Sequence, residues 1–341
     1  NYVVTPDAIY LAIGSDCLVL DPITGETLHA ISLPNVGGEK RQWAYIGVYE
    51  NVLLAGNGFA NYTERRKLDF EEADGKLKKN SKGFGSKSID LSASDGLVAF
   101  DRHSGQQLWQ IDAKHSFLHN GIVAGNGRVY CLDKLPKPVE ERLERRGTAT
   151  PETYRIVALD VQTGNELWER NDTTFGTWLS YSADHDLLLQ AGASASDRLS
   201  SEAGAGMAVR HAADGSIKWK DEKRAYSGPC ILHGDTIMTN ANSYKLSAGA
   251  FQLLDGKPAL TTNPLTGAEQ SWQMCRAYGC NNIIASENML TFRSGAAGYY
   301  DLTTRSGTGN LGGFKSGCTS NLVVANGVLN APDYTRTCSC A

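Results

Sequence analysis

Val157-Ala158-Leu159-Asp160-Val161-Gln162-Thr163-Gly164-Asn165-Glu166-Leu167-Trp168 reads as a short apolar strand, a tight turn, and a second strand carrying an indole. Asp and Thr are turn residues because their side-chain oxygens accept hydrogen bonds from nearby amides. Gly supplies the positive φ that a side chain would oppose. The same phrase stands at Val98-Ala99-Phe100-Asp101, Ser104-Gly105 and Trp109. Weaker copies run from Leu18 through Asp21, Thr24 and Gly25 to His29, and from Val209 through Asp214 and Gly215 to Trp219. Asn263, Thr266, Gly267 and Trp272 read as a fifth copy with one extra residue, and Asp301 to Gly307 as a degraded sixth. A phrase repeating every few tens of residues means stacked supersecondary units, since one unit cannot bury its own apolar face.

Ahead of each copy lies another strand pair. Gly121-Ile122-Val123-Ala124 and Arg128-Val129-Tyr130-Cys131, for example, turn at Gly125-Asn126-Gly127. With the parallel pairs this makes seven four-stranded meanders, and radial repetition of such sheets is a β-propeller. The expected architecture is therefore all-β, a single-domain propeller over 1–341. Its blades fall near 1–35, 43–114, 117–172, 175–224, 226–278, 280–316 and 318–341. The last is cut short after a third strand at Cys338–Ala341. Each Trp (Trp109, Trp168, Trp219 and Trp272) is expected to fill the gap between one small sheet and the next. A missing outer strand would leave a bare edge, so further residues are expected beyond Ala341. Asn1 is not an initiator Met, so the chain is expected to be processed or excerpted.

The phrase resembles the tryptophan-docking repeat of the quinoprotein-type propellers, the family of the pyrroloquinoline-quinone dehydrogenases and of the outer-membrane assembly lipoprotein. The likeness covers roughly residues 1–330. It implies the architecture well and an activity poorly, since most such repeats bind no quinone. The last third carries Gly279-Cys280-Asn281, Arg293-Ser294, Gly312-Gly313-Phe314, Gly317-Cys318 and Thr337-Cys338-Ser339-Cys340. In these motifs it is similar to a set of bacterial quinoprotein-like propellers, some joined to a methyltransferase domain. The resemblance implies an extracytoplasmic, bacterial-type protein, periplasmic or secreted.

Composition narrows the function classes. The 341 residues are 41% hydrophobic with no long apolar run, which argues against a membrane span. A net charge of −4 gives no electrostatic footprint for nucleic acid. If the strands of each blade are lettered A to D in order, every long insertion (57–95, 133–153, 191–206 and 240–249) falls between B and C. The A–B and C–D turns are expected to stay short. Four unequal insertions on one face suggest that this face meets something, a protein or a larger parent complex. Residues 61–95 are rich in charge and Gly, and Lys134–Arg146 reads as a short charged helix after a proline entry.

Eight cysteines are present. Cys17 and Cys131 lie inside apolar strands and read as small buried hydrophobes. Cys230, Cys280 and Cys318 fall near the starts of inner strands, Cys275 ends blade five, and Cys338 and Cys340 open the last strand. Strand order assigns all six to the inserted face. The candidate binding residues at the channel mouth are accordingly Cys275, Arg276, Cys280, Asn281, Cys318, Cys338 and Cys340, with Trp178 and Asn120 at other inner-strand starts. Disulfides, a zinc or copper site on Cys280, Cys318, Cys338 and Cys340, and free thiols all remain open. Arg276 would activate the Cys275 thiol if it pointed inward, though such a residue is more often a solvated rim residue.

Catalytic patterns are sparse. There is no HExxH, no Gly-x-Ser-x-Gly, no phosphate loop and no CxxCH. Nor is there the Cys-Cys pair that the resemblance would require of a quinone dehydrogenase. His115 and His119 read as loop histidines rather than a metal pair. The expectation is a non-catalytic binding scaffold. The alternatives are a metal- or thiol-based redox enzyme and, less favoured, a quinone-dependent oxidoreductase.

Overall fold

A computed structural model of the chain describes residues 1–35, 37–61, 89–145, 147, 149–192, 206–226, 228–240, 248–263, 265–276, 281–305, 307–312, 321–325 and 327–331. The chain is all-β, built of successive antiparallel meanders of the β-propeller type, with one helix among the described residues. It divides into two compact units, Asn1–Thr174 and Phe175–Ala341.

In the first unit, strands Tyr2–Val4, Ile9–Ile13, Asp16–Leu20 and Thr27–Ser32 form the first blade. The second blade comprises Trp43–Tyr49, Val52–Asn57, Ile89–Asp101 and the first half of Gln107–Gly125. That last strand continues unbroken and its second half opens the third blade, followed by Arg128–Asp133, Arg155–Asp160 and Glu166–Arg170. The two blades thus share one eight-stranded sheet, and the expected break between 114 and 117 lies inside a strand. Fully buried Asp133 accommodates the bend. Its Oδ atoms accept the amides of Lys114 (2.8 Å), His115 (2.8 Å) and Ser116 (3.1 Å), where the strand leaves one neighbour for the other.

Period-two alternation explains the packing. In the run Leu97–Phe100, Val98 and Phe100 join Tyr10, Cys17, Val19 and Ile31 of the first blade. Leu97 and Ala99 face the other way, to Val129, Val157 and Leu159 of the third. A sheet buried on both faces reads as a continuous apolar run.

The turn phrase is built as its residues dictate. Asp160 Oδ1 accepts from Gln162 N (3.0 Å), Thr163 N (2.8 Å) and Thr163 Oγ1 (2.9 Å), and Gly164 at φ 71° donates to the Asp160 carbonyl. Asp101 and Asp21 repeat this pattern. These hydrogen bonds hold the carboxyls of Asp21, Asp101, Asp160 and Asp301 below the ordinary value of 3.8.

Trp109 lies over Gly164, and its indole N–H donates to the Val161 carbonyl at 2.8 Å. A Cβ at position 164 would meet the indole at 2.7 Å, so this glycine is required by close approach as well as by φ. Trp168 is also buried, 5.9 Å from Tyr130.

In the second unit, Trp178–Ser182, Leu187–Ala191, Met207–His211 and Ile217–Asp221 form one blade. Buried Arg210 ties Gln190 to the carbonyl of turn residue Gly215. Ile231–His233, Thr236–Met238 and Ala248–Gln252 begin the next, and Trp219 packs on its turn glycine Gly256 while donating to the Leu253 carbonyl at 2.7 Å. This blade corrects two expectations. Its C–D turn is Gln252–Gly256, where Gly256 N donates to the Gln252 carbonyl, rather than the copy around Asn263. The Asn263–Gly267 turn has the expected chemistry, with Asn263 Oδ1 accepting from Leu265 N and Thr266 N. It closes an extra hairpin, Leu260–Thr262 with Glu269–Ser271, inserted between C and D. Not every C–D connection is therefore short.

A further blade comprises Ile284–Ala285, Met289–Ser294, Ala296–Asp301 and Thr308–Asn310. Val323–Ala325 and Val328–Asn330 begin the last. Its expected third strand, Cys338–Ala341, lies outside the described residues.

Candidate functional site

Among the described residues, both units carry clustered polar side chains near the expected site. In the first unit they surround the B–C insertions. The strand Phe59–Asn61 pairs with residues 89–94, lengthening the second blade at its B–C end. Fully buried Ser94 lies 2.7 Å from His119 Nε2, whose ring packs against Tyr45 and Phe59. Burial pushes the Tyr45 hydroxyl up to about 12. Asn120, beside His119, is exposed.

The third blade's insertion forms the expected helix, Lys137–Arg145. Leu135, Val139 and Leu143 form a small core of their own with Tyr154. Tyr154 donates to Glu140, lies edge-on to His115 at 5.3 Å, and has the Lys134 ammonium 5.3 Å above its ring. Beneath the helix, Arg155 Nε donates to Asp133 at 2.8 Å, and its Nη1 reaches Glu169 at 2.8 Å and Glu166 at 3.3 Å. Lys114 adds a bond to Glu169 at 2.7 Å; with Arg155, it holds that carboxyl below the usual range. A buried ion pair of this kind fixes position more than it adds stability. Here it clamps both ends of the insertion, Asp133–Lys134 and Tyr154–Arg155. Sequence reading passed over this network. Its signal was a carboxylate closing the apolar strand Val129–Leu132 and an Arg opening the next.

In the second unit the polar cluster is Arg276, Asn281 and Arg293, all under 4% exposed. Arg276 Nη1 donates to the Asn281 carbonyl at 2.8 Å, and Asn281 Oδ1 accepts from Arg293 N at 2.8 Å. Arg276 is therefore a buried strut, not a solvated rim residue, while Cys275 beside it is exposed. Trp178 is partly buried and packs on the cluster containing Leu187, Leu189 and Cys230. Cys230 belongs to that core and is only 5% exposed, which corrects its expected place at the rim. Burial raises the Cys17 and Cys230 thiols to about 12 and pushes Cys131 higher still. These three thiols are protonated and inert at neutral pH. Cys280, Cys318, Cys338 and Cys340 lie outside the described residues. Among the described residues no three His, Cys, Asp or Glu side chains gather to hold a metal.

A family model described as outer membrane protein assembly factor BamB matches residues 83–222. No curated protein matches the chain by sequence. Among solved structures, BamB from Moraxella catarrhalis is similar at 11% identity and a TM-score of 0.44, covering 86% of this chain and 68% of that one. U3-55K is similar at 11% identity and a TM-score of 0.48, covering 91% and 80%. Kluyvelomyces marxianus Hsv2 is similar at 9% identity and a TM-score of 0.47, covering 90% and 83%. With TM-scores below 0.5, nothing about function rests on these three. No described helix is long and apolar enough to cross a membrane.

Proposed function

We propose that this chain is a non-catalytic scaffold of an extracytoplasmic compartment, presenting the B–C insertions of its blades to a protein partner. The observation that carries this reading is the insertion 134–154. A helix is held on its own small core and clamped at both ends by the Asp133–Arg155–Glu169 network. A loop that only bridges two strands needs none of this, whereas a rigid platform on a β scaffold suits recognition. Exposed Glu141, Glu144 and Arg145 make its outer face charged, so the partner surface is polar and its binding salt-sensitive.

The test is affinity capture from a native extract at low and high salt, with residues 62–88 deleted in one variant and Glu141→Lys/Glu144→Lys in another. Loss of the same captured protein in either variant, with melting unchanged, supports the reading. A metal or quinone bound in stoichiometric amount in the purified chain would contradict it. Zinc or copper on Cys280, Cys318, Cys338 and Cys340 would show in the same elemental measurement, and absorbance would reveal a quinone.

A further inference from the structure

In the second unit, the junction between the blade ending at Met274 and the blade of Ala296–Asp301 departs from the repeat in three linked ways. The docking indole normally stands opposite an apolar residue of the C strand, as Trp109 does to Ala99, Trp168 to Ala158 and Trp219 to Val209. Here Ala259 takes that place, its N–H donating to the Ala250 carbonyl. Trp272 arrives from the returning arm of the extra hairpin, its own N–H donating to Ala259. Its indole therefore bonds the Tyr300 hydroxyl at 3.1 Å instead of a turn carbonyl. Finally, the turn held by Asp301 has Arg305 at φ 53° in the slot that Gly164 and Gly256 fill elsewhere.

These departures coincide with a cavity of about 440 Å³. Its apolar lining includes Met238, Leu254, Ala259, Leu260, Trp272 and Leu302, and Arg305 stands in its wall. Two of these lining leucines are open to solvent, Leu254 at 43% and Leu260 at 49%, and Leu265 at the hairpin tip is 93% exposed. Asp235 in the wall is engaged by His185 at 2.6 Å, and Asp301 by its turn amides. Among the described residues Arg305 has no ion pair.

We propose that this cavity docks an acidic, apolar peptide segment of a partner protein, an aromatic or leucine side chain entering against Trp272 while a neighbouring carboxylate pairs with Arg305. The solvent-exposed leucines favour a chain over a small amphiphile, and the Arg305 guanidinium, with no ion pair among the described residues, selects the acid. The site lies on A–B and C–D turns, away from the B–C insertions, so it stands or falls independently of the function proposed above.

Fluorescence anisotropy of the full chain tests it, using a labelled peptide of alternating Trp, Leu and Glu, its counterpart with Lys for Glu, and N-acetyl-tryptophan as competitor. The acidic peptide should bind about ten-fold more tightly than the lysine peptide. Arg305→Gly, which restores the glycine of the other turns and relieves the backbone, should erase that preference without lowering the melting temperature. Ala259→Trp, confirmed as folded by circular dichroism, should block both peptides; if it does not fold, Arg305→Gly decides alone. Absence of binding, equal affinity for the two peptides, a preference that survives Arg305→Gly, or unchanged binding to folded Ala259→Trp would overturn the proposal. N-acetyl-tryptophan matching the peptide would also overturn it, by showing that a small amphiphile suffices.

Discussion

An indole laid on a turn glycine is the contact that recurs at residue scale. Trp109 is 7% exposed and donates to the Val161 carbonyl. Trp109→Ala should therefore cost about 3–5 kcal/mol in denaturant unfolding, since truncation leaves a cavity between two sheets and an orphaned carbonyl. Gly164→Ala should also destabilise, because the new methyl meets that same indole in a backbone conformation L residues resist. Trp109→Ala combined with Gly164→Ala should then cost less than the sum of the two, as expected for residues in contact. The turn carboxylates set a pH dependence. The folded values of Asp101 and Asp160 lie below the unfolded ones, so their contribution is complete above about pH 4 and is lost as pH falls through the lowered values. Asp101→Asn/Asp160→Asn should flatten the acid limb of a melting-temperature profile below about pH 4. Most of these contacts were legible in the sequence, because turn chemistry and indole both belong to a local phrase. Arg305 was not, since a degraded copy does not announce which slot its Arg occupies.

Strands and insertions follow from different physics. Alternation predicted the apolar strands well, and Pro136 ahead of Val139–Arg145 predicted the helix. The displaced copy at Asn263–Trp272 misled because its turn residues are real but cap another hairpin, and only cross-strand pairing distinguishes the two. The continuous strand Gln107–Gly125 was illegible for a similar reason: its bend rests on Asp133, nineteen residues from the first amide it accepts. Asp133→Ala should cost about 3–5 kcal/mol, because it orphans the amides of Lys114, His115 and Ser116 and strips buried Arg155 of one of its carboxylate partners. Arg155→Met/Asp133→Asn should recover part of that loss, as measured by chemical unfolding. The other insertion has a simple test. Asn61 and Ile89 are directly opposed partners, so an Asn-Gly turn can replace residues 62–88 without disturbing register. The shortened chain should melt within a few degrees of the parent while losing its partner; collapse would show the insertion to be structural.

At the scale of the whole molecule, the chain reads as rigid blades with function assigned to what projects from them. Cys17 and Cys131 are sealed in cores as their apolar strands lead one to expect, but so is Cys230, which strand order assigned to the inserted face, and Arg276 is a strut. Burial of this kind depends on contacts between distant segments, and a single sequence does not display them. The motifs around Cys280, Cys318, Cys338 and Cys340 lie outside the described residues, so thiol chemistry there stays a matter for elemental analysis and thiol counting. The central claim is that the insertions of the first unit form the working surface. Hydrogen–deuterium exchange on the full chain with its captured partner tests this most directly. The account predicts that protection on binding concentrates in residues 59–61, 89–94 and 134–154. Protection confined to the A–B and C–D turns, with those segments exchanging as in the isolated chain, would contradict it.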